Sequence, residues 1–378
     1  MIHNDWQMKR GRKLMDIKMK DLIIGNLKAK LPIVQGGMGV GISLSGLASA
    51  VANQGGVGVI ATAGIGMQDY GFSRDFEQCN INALIEQIKK ARSMSSGIIG
   101  VNIMVALSNF SDMVRTAINE KIDVIFSGAG LPLSLPGFLK GSKRTMLVPI
   151  VSSGKAARII AQKWMNDYEY VPDAFVVEGP MAGGHLGFKP EQIDNPDYAL
   201  EKLIPDVIKE ARVIGERSGR AIPVIAAGGI YTGEDIYKIM QLGADGVQMG
   251  TRFVPTVECD ASEAFKKSYI DAKREDIGII KSPVGLPGRA IINDFLRSSM
   301  AGSKKPYSCP YHCITTCAYK DSPYCIAQAL LNAKKGNFKH GFAFAGQNAY
   351  RTESIISVKE LIDMLKSQFN KAKGDHDD

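Results

Sequence analysis

The sequence predicts an α/β fold: a (β/α)8 TIM barrel with a smaller, mostly helical lid or substrate region after the eighth strand. Two observations predict it. Eight short, β-branched apolar runs occur without polar alternation, as strands covered on both faces require, and segments of helical spacing lie between them. A doubly wound open sheet also accommodates glycine-ended strands, but eight units in about 225 residues favour closure. The 378-residue chain exceeds a minimal barrel by about a hundred residues, so one barrel with an elaboration fits better than two equal domains. The expected division is a barrel over 1–255, a lid over 256–345 and a C-terminal helix over 346–378 that returns to the barrel.

The first strands are Leu31–Met38, Val57–Gly64, Ile98–Ala106 and Val124–Gly130. Leu147–Ser153, Ala174–Gly179, Pro223–Ala227 and Gly246–Met249 complete the eight. Ser45–Asn53, Asn82–Arg92, Phe110–Glu120 and Lys155–Met165 have helical spacing. Thr232 with Asp235 three residues on reads as a capping box that starts a further helix, and Gly243 as its stop. The last two strands end at Gly228–Gly229 and Gly250–Thr251. Two adjacent parallel strands ending in glycine leave a notch of bare backbone N–H groups, which late in a barrel is a place for a cofactor phosphate. Two ordinary turns, with glycine present only for tightness, are the plainer alternative.

Composition is that of an ordinary globular protein, 45% hydrophobic and 22% charged. No apolar run is long enough to span a bilayer, and the N-terminus, with Asp5, Arg10, Arg12 and Asp16 interleaved, lacks the apolar core of a signal peptide. A cytoplasmic location is expected. The net charge of +8 is partly carried by the leader Lys9–Lys30, where Trp6 is the only nearby aromatic, so a solvated lysine-rich surface is expected rather than a nucleic-acid interface. A mild basic patch can still help an acidic partner or an anionic substrate to dock.

After the sixth strand comes Glu178–Phe188, EGPMAGGHLGF. His185 is the one histidine of five at a strand C-terminus, where its imidazole can exchange a proton with substrate near neutral pH. Hydrogen bonding to a cofactor is its alternative use. Asn102, polar at the end of an apolar strand, is hard to explain as core and suits contact with a ligand. Met38 and Met249 read equally well as core fillers.

The motifs QGGM (Gln35–Met38), VNIM (Val101–Met104), AGGHLG (Ala182–Gly187), AAGGI (Ala226–Ile230) and GVQMGTRF (Gly246–Phe253) stand in this order. Together they resemble the FMN-dependent nitronate monooxygenase family, which also contains flavin-type enoyl-ACP reductases and some NAD(P)H:quinone reductases. The likeness runs from about Leu31 to Phe253 and returns in AGQNAY at Ala345–Tyr350. It implies that Gly36, Gly37 and Met38 line an FMN ring and that Asn102 lies near it. Gly228 and Gly229, with Gln248, Met249, Gly250 and Thr251, would cradle the ribityl phosphate, and His185 would be catalytic. Oxidation of an alkyl nitronate with O2 is the leading activity so implied. The alternative is NAD(P)H-dependent reduction of an enoyl thioester, delivered by an acyl carrier protein, or of a quinone. A flavin-binding redox sensor would have no need of a histidine at the rim. A monomer or homodimer acting on a small molecule, with neither membrane nor nucleic acid, is expected.

The chain departs from the family at Cys309, Cys313, Cys317 and Cys325, which place four of its six cysteines within seventeen residues. On a helix begun at Pro310 and ended at Pro323, three of them would share a face. A metal or iron–sulfur site and a set of packed thiols both remain open, with packed thiols preferred because no C-x2-C spacing is present. No metal ligand is assigned, and Cys79 and Cys259 read as structural thiols.

Overall fold

Closure of the barrel follows from where its apolar surface has to go. The computed structural model describes residues 17–68, 75–302, 309 and 311–377. The chain opens with a hairpin of β1 (Leu22–Ile24) and β2 (Leu27–Ala29), turned at Gly25–Asn26 with Gly25 at φ +58°. Then come β3 (Ile33–Gln35), α1 (Ser45–Asn53), β4 (Val57–Ala61), α2 (Phe76–Met94), β5 (Ile98–Met104), α3 (Phe110–Asn119), β6 (Val124–Gly128) and β7 (Met146–Val151). They continue with α4 (Gly154–Tyr168), β8 (Phe175–Glu178), the two-residue β9 (Gly184–His185), α5 (Leu200–Ser218), β10 (Val224–Ala227), α6 (Gly233–Gln241) and β11 (Gly246–Met249). Strands β3 to β8, β10 and β11 form one closed parallel barrel in which β11 returns to β3.

Two apolar layers hold it. Val34, Val59, Phe126, Val148, Val176 and Ile225 fill the interior, and the β1–β2 hairpin adds Leu22 and Ile24 to the same cluster. A Cβ on Gly246 would stand 3.2 Å from Leu22, so the hairpin plugs the end of the barrel opposite the strand C-termini. That hairpin lies outside the expected elements, because runs of three residues are too short for periodicity to register. The outer layer joins the strands to the helices and contains the buried Trp164. The β6–β7 crossover carries only a 3₁₀ turn at Leu135–Phe138, where Pro136 and Gly137 disfavour an α-helix; the Trp164 indole N–H donates to the Pro132 carbonyl at 2.9 Å beside it.

Local signals account for several helix ends. The α6 capping box is present, with Thr232 Oγ1 accepting from the Asp235 N–H at 3.1 Å and the Asp235 carboxylate accepting from the Thr232 N–H at 2.9 Å. Helix α1 has no side-chain cap of its own. The distant Asp260 carboxylate instead accepts from the N–H groups of Leu44, Gly46 and Leu47 at 2.7, 3.1 and 3.2 Å. The pairing of β3 with β4 is a single register, Val34↔Val57, and the buried Gln35 amide extends it by accepting from the Val59 N–H at 2.9 Å.

Beyond the barrel lie α7 (Glu263–Asp271), β12 (Ile277–Lys281), β13 (Pro287–Ile291), α8 (Asp294–Met300), α9 (Ile326–Lys334) and α10 (Val358–Asp377). Helix α10 packs against α6 and α1, closing the helical ring. The lid is less helical than expected: the Gly- and Pro-rich Ser282–Leu286 is the loop of a β12–β13 hairpin, and β9 joins its edge to make a three-stranded sheet. The cysteine segment is not a helix either. Leu107 and Ile314 form an antiparallel bridge, the Thr315 N–H donates to the Ala106 carbonyl at 2.9 Å, and the Ser108 N–H donates to the Cys313 carbonyl at 3.2 Å. Strapping to the end of β5 extends the backbone here, so the i, i+4, i+8 spacing gives no common face. Pro310 and the leader residues up to Asp16 lie outside the described residues.

Strand β4 and helix α1 touch at Gly58, where an added Cβ would stand 1.8 Å from the Ala48 carbonyl oxygen, a backbone atom. Gly58→Ala should therefore destabilise the fold by about 3 kcal/mol or more, measured by denaturant unfolding. A loss within about 0.5 kcal/mol would contradict this packing.

Candidate active site

All the strand-end residues singled out in the sequence converge. Gly36, Gly37, Met38, Asn102, His185, Gly228, Gly229, Gln248, Met249, Gly250 and Thr251 line one cavity of about 500 Å³ at the C-terminal mouth of the barrel. They do not contribute equally. The Met249 side chain is buried in the strand–helix layer, so that position serves mainly as core. Gly37 has a structural reason of its own, since a Cβ there would lie 2.3 Å from the Asn102 Cβ.

The notch lies between the ends of the paired strands β10 and β11. Gly228 and Gly229 hold φ of +95° and +84°, which glycine alone adopts without strain. The N–H groups of Gly229, Gly250 and Thr251 donate to no protein acceptor among the described residues. The side-chain amides of Asn102 and Gln248, both lining the cavity, likewise have no hydrogen-bond partner there. Unpaired donors gathered at a cavity wall fit a ligand that ends in a phosphate and carries polar edges. The return loop secures the notch: Asn348 Nδ2 donates to the Gly229 carbonyl at 2.6 Å, and the Gly346 N–H donates to Thr251 Oγ1 at 2.9 Å. Thr251 thereby keeps its own hydroxyl proton for a ligand. Tyr231 on the same wall lies under two guanidinium groups, Arg252 at 4.7 Å and Arg351 at 5.0 Å from its ring centroid, and Arg351 also pairs with Asp235 at 3.8 Å.

His185 is held by the lid as well as by the barrel. Its backbone pairs with Gly288 of β13, its Nε2 meets Ser282 Oγ at 2.7 Å, and its ring stands edge-on to Phe344 at 5.0 Å. Burial lowers its pKa from 6.5 to about 4, so the imidazole is neutral at pH 7. Sequence reasoning passed over Glu178, at the end of β8, which also lines the cavity. Its half-buried carboxyl has no ion-pair partner among the described residues, and burial raises its pKa from 4.5 to about 7. The signal that marked Asn102 was present here too, a polar side chain ending the apolar run AFVV.

The cysteines lie beside this site. Cys313 forms part of the cavity wall, and Cys317 and Cys325 pack against the small apolar clusters of the lid. Burial, reinforced by neighbouring thiols, pushes Cys313 up to about 12 and raises Cys317 and Cys325 as well, so these are thiols rather than thiolates. Among the described residues no group of three or more His, Cys, Asp or Glu side chains is arranged to hold a metal ion. None of the described helices is long and apolar enough to cross a membrane.

A carboxyl whose pKa is raised on folding stabilises the fold fully below its unfolded pKa, and that contribution is lost as pH rises through the folded value. Glu178→Gln should therefore match the wild type near pH 4.5 and exceed it progressively up to about pH 7, by about 2 kcal/mol after allowance for screening by cavity water. Thermal or urea melts of both proteins across this range check it. Parallel curves would show that Glu178 is ionised without penalty.

A family model described as nitronate monooxygenase matches residues 20–122 and 108–368. The chain is 28% identical over 273 residues to the (3aS,4S,5R,7aS)-5-hydroxy-7a-methyl-1-oxo-octahydro-1H-indene-4-carboxyl-CoA dehydrogenase of Mycobacterium tuberculosis. That match covers 72% of this chain and 66% of the relative, just under two thirds of its length. A probable nitronate monooxygenase of Staphylococcus saprophyticus is 24% identical over 380 residues, covering 94% of this chain and 99% of the relative. Among solved structures, FabK from Thermotoga maritima superposes with a TM-score of 0.70 at 28% identity, over 91% of this chain and 94% of that one. With the family match running across barrel, lid and return loop alike, the chain belongs to the nitronate monooxygenase family.

Proposed function

We propose that this is an FMN-dependent oxidoreductase that oxidises alkyl nitronates with O2. The observation that carries the cofactor is the set of unpaired N–H groups at Gly229, Gly250 and Thr251, which suits the ribityl phosphate. Gly36, Gly37, Met38 and Asn102 would then border the ring, with Gln248 supplying a further polar contact. When bound, FMN would supply the redox chemistry, accepting electrons from substrate and passing them to oxygen. The protein's part is to orient the substrate and exclude water. His185, neutral and half-buried, would hydrogen-bond the nitronate oxygens at the mouth, and Glu178, at the end of the preceding strand β8, would hold a proton near pH 7. The near full-length likeness to the probable nitronate monooxygenase of S. saprophyticus supports this substrate.

A second reading is favoured by the lining of the cavity. Apolar side chains, Val40, Met67 and Leu107 from the barrel and Ile314, Ile326 and Leu330 from the lid, form part of its wall. An apolar wall suits an acyl chain, and so NAD(P)H-dependent reduction of an enoyl thioester carried by acyl carrier protein. The likenesses to FabK and to a carboxyl-CoA dehydrogenase lean the same way. In either case the lid, 256–345, would select the substrate.

Anaerobic rapid mixing separates the two readings. Propyl nitronate should bleach the bound flavin, and its absorbance should return on adding O2. Bleaching by NADH or NADPH alone, with reoxidation by an enoyl thioester, would transfer the assignment to the second reading, and no bleaching by any of them would overturn both. In the productive assay His185→Ala should keep its flavin and lose about 10²–10³-fold in kcat/KM, as for loss of one donor to a reacting oxygen. Turnover within a few-fold of wild type would reduce His185 to a pocket wall.

A further inference from the structure

The hydroxyl of Ser282 allows the proton on His185 to be placed. Ser282 is 3% exposed and sits at the start of the β12–β13 loop, held by its own N–H to the Leu286 carbonyl at 3.1 Å and by the Gly285 N–H to its carbonyl at 3.0 Å. Its Oγ already accepts from the Val284 N–H at 3.4 Å. Among the described residues, the hydroxyl proton has one available acceptor, His185 Nε2 at 2.7 Å. Were Nε2 protonated instead, Ser282 would bury a donor with no acceptor, which costs about 1–3 kcal/mol. Nε2 therefore accepts, and a neutral imidazole then carries its proton on Nδ1, which has no protein partner among the described residues.

We propose that Ser282 is a positioning residue that fixes His185 as the Nδ1–H tautomer, so that the imidazole meets substrate as a hydrogen-bond donor and not as a base. This rests on the reading of His185 as the group that faces substrate. It also narrows the substrate class. A donor suits a molecule that arrives with an acceptor oxygen in place, an anionic nitronate or a thioester carbonyl, and not a neutral carbon acid that must first be deprotonated in the site. The lid supplies this setting: the hairpin that pairs β13 with His185 through Gly288 also carries Ser282, and Phe344 holds the ring edge-on.

The test is long-range ¹H–¹⁵N correlation of histidine-labelled, flavin-loaded protein near neutral pH, with the His185 signals assigned by their loss in His185→Gln. The wild type should show Nδ1 protonated and Nε2 bare. Ser282→Ala should shift the population towards Nε2–H and lower turnover about tenfold at unchanged flavin content, in line with partners that orient a functional imidazole, and Ser282→Thr should restore both. In a His185→Ala background Ser282→Ala should change turnover no further. A wild-type Nε2–H, a tautomer indifferent to Ser282→Ala, or a fall in turnover with the tautomer unmoved would each overturn the proposal. If His185→Ala alone turns over like wild type, the substrate-facing reading fails, while the tautomer measurement still decides what Ser282 does.

Discussion

A parallel barrel satisfies almost every backbone hydrogen bond within its own walls, and the exceptions are confined to the strand ends. Here the glycine turns after β10 and β11 leave such donors among the described residues, at Gly229, Gly250 and Thr251. The left-handed Gly228 and Gly229 turn the chain so that these N–H groups line the cavity instead of continuing a ladder. An orphaned amide at a protein wall is costly unless water or a ligand completes it. The return loop answers that demand from its side, holding Gly229 through Asn348 and Thr251 through Gly346.

The lid belongs to the site as much as to the surface. Arg289 on β13 is 5% exposed and donates to Gln347 Oε1 of the return loop and to the Pro180 carbonyl at 2.9 Å, after β8. Its partners are neutral, its Nε has none, and desolvation lowers its pKa. A guanidinium in that setting contributes little net stability, but it joins three segments that meet at the mouth: the lid hairpin, the histidine loop and the return loop. The β9–β13 pairing and the Ser282 contact add to the same joint, so movement of the hairpin would move the imidazole. The cysteine segment is strapped to the end of β5 and touches the hairpin through the Thr316 hydroxyl, which donates to the Val284 carbonyl at 3.2 Å. It thus forms one more part of the wall.

The barrel was legible because its strands are buried on both faces and so carry an uninterrupted apolar signature, and because the α6 capping box and the strand-end glycines punctuate it. The residues that line the cavity were legible for the same reason: a polar residue ending an apolar run, as at Asn102, has little use in a core. Glu178 obeyed that rule and was passed over because the glycines and histidine that follow it drew the reading. What local sequence does not carry is tertiary pairing. The three-residue strands of the plug hairpin, the joining of β9 to the lid sheet, and the remote cap of α1 by Asp260 each depend on a partner far along the chain. The cysteine spacing pointed to a helix because a bridge to Leu107, two hundred residues away, lies outside any local window.

The central claim is that the mouth between β10 and β11 recognises a phosphate-ended flavin, and its most direct measurement compares two ligands that differ only in that phosphate. Flavin-free protein titrated with FMN and with riboflavin, followed by flavin fluorescence, should bind FMN at least about a hundredfold more tightly, since several charge-assisted hydrogen bonds are lost with the phosphate. Equal affinities, or no binding of FMN by folded protein, would contradict it.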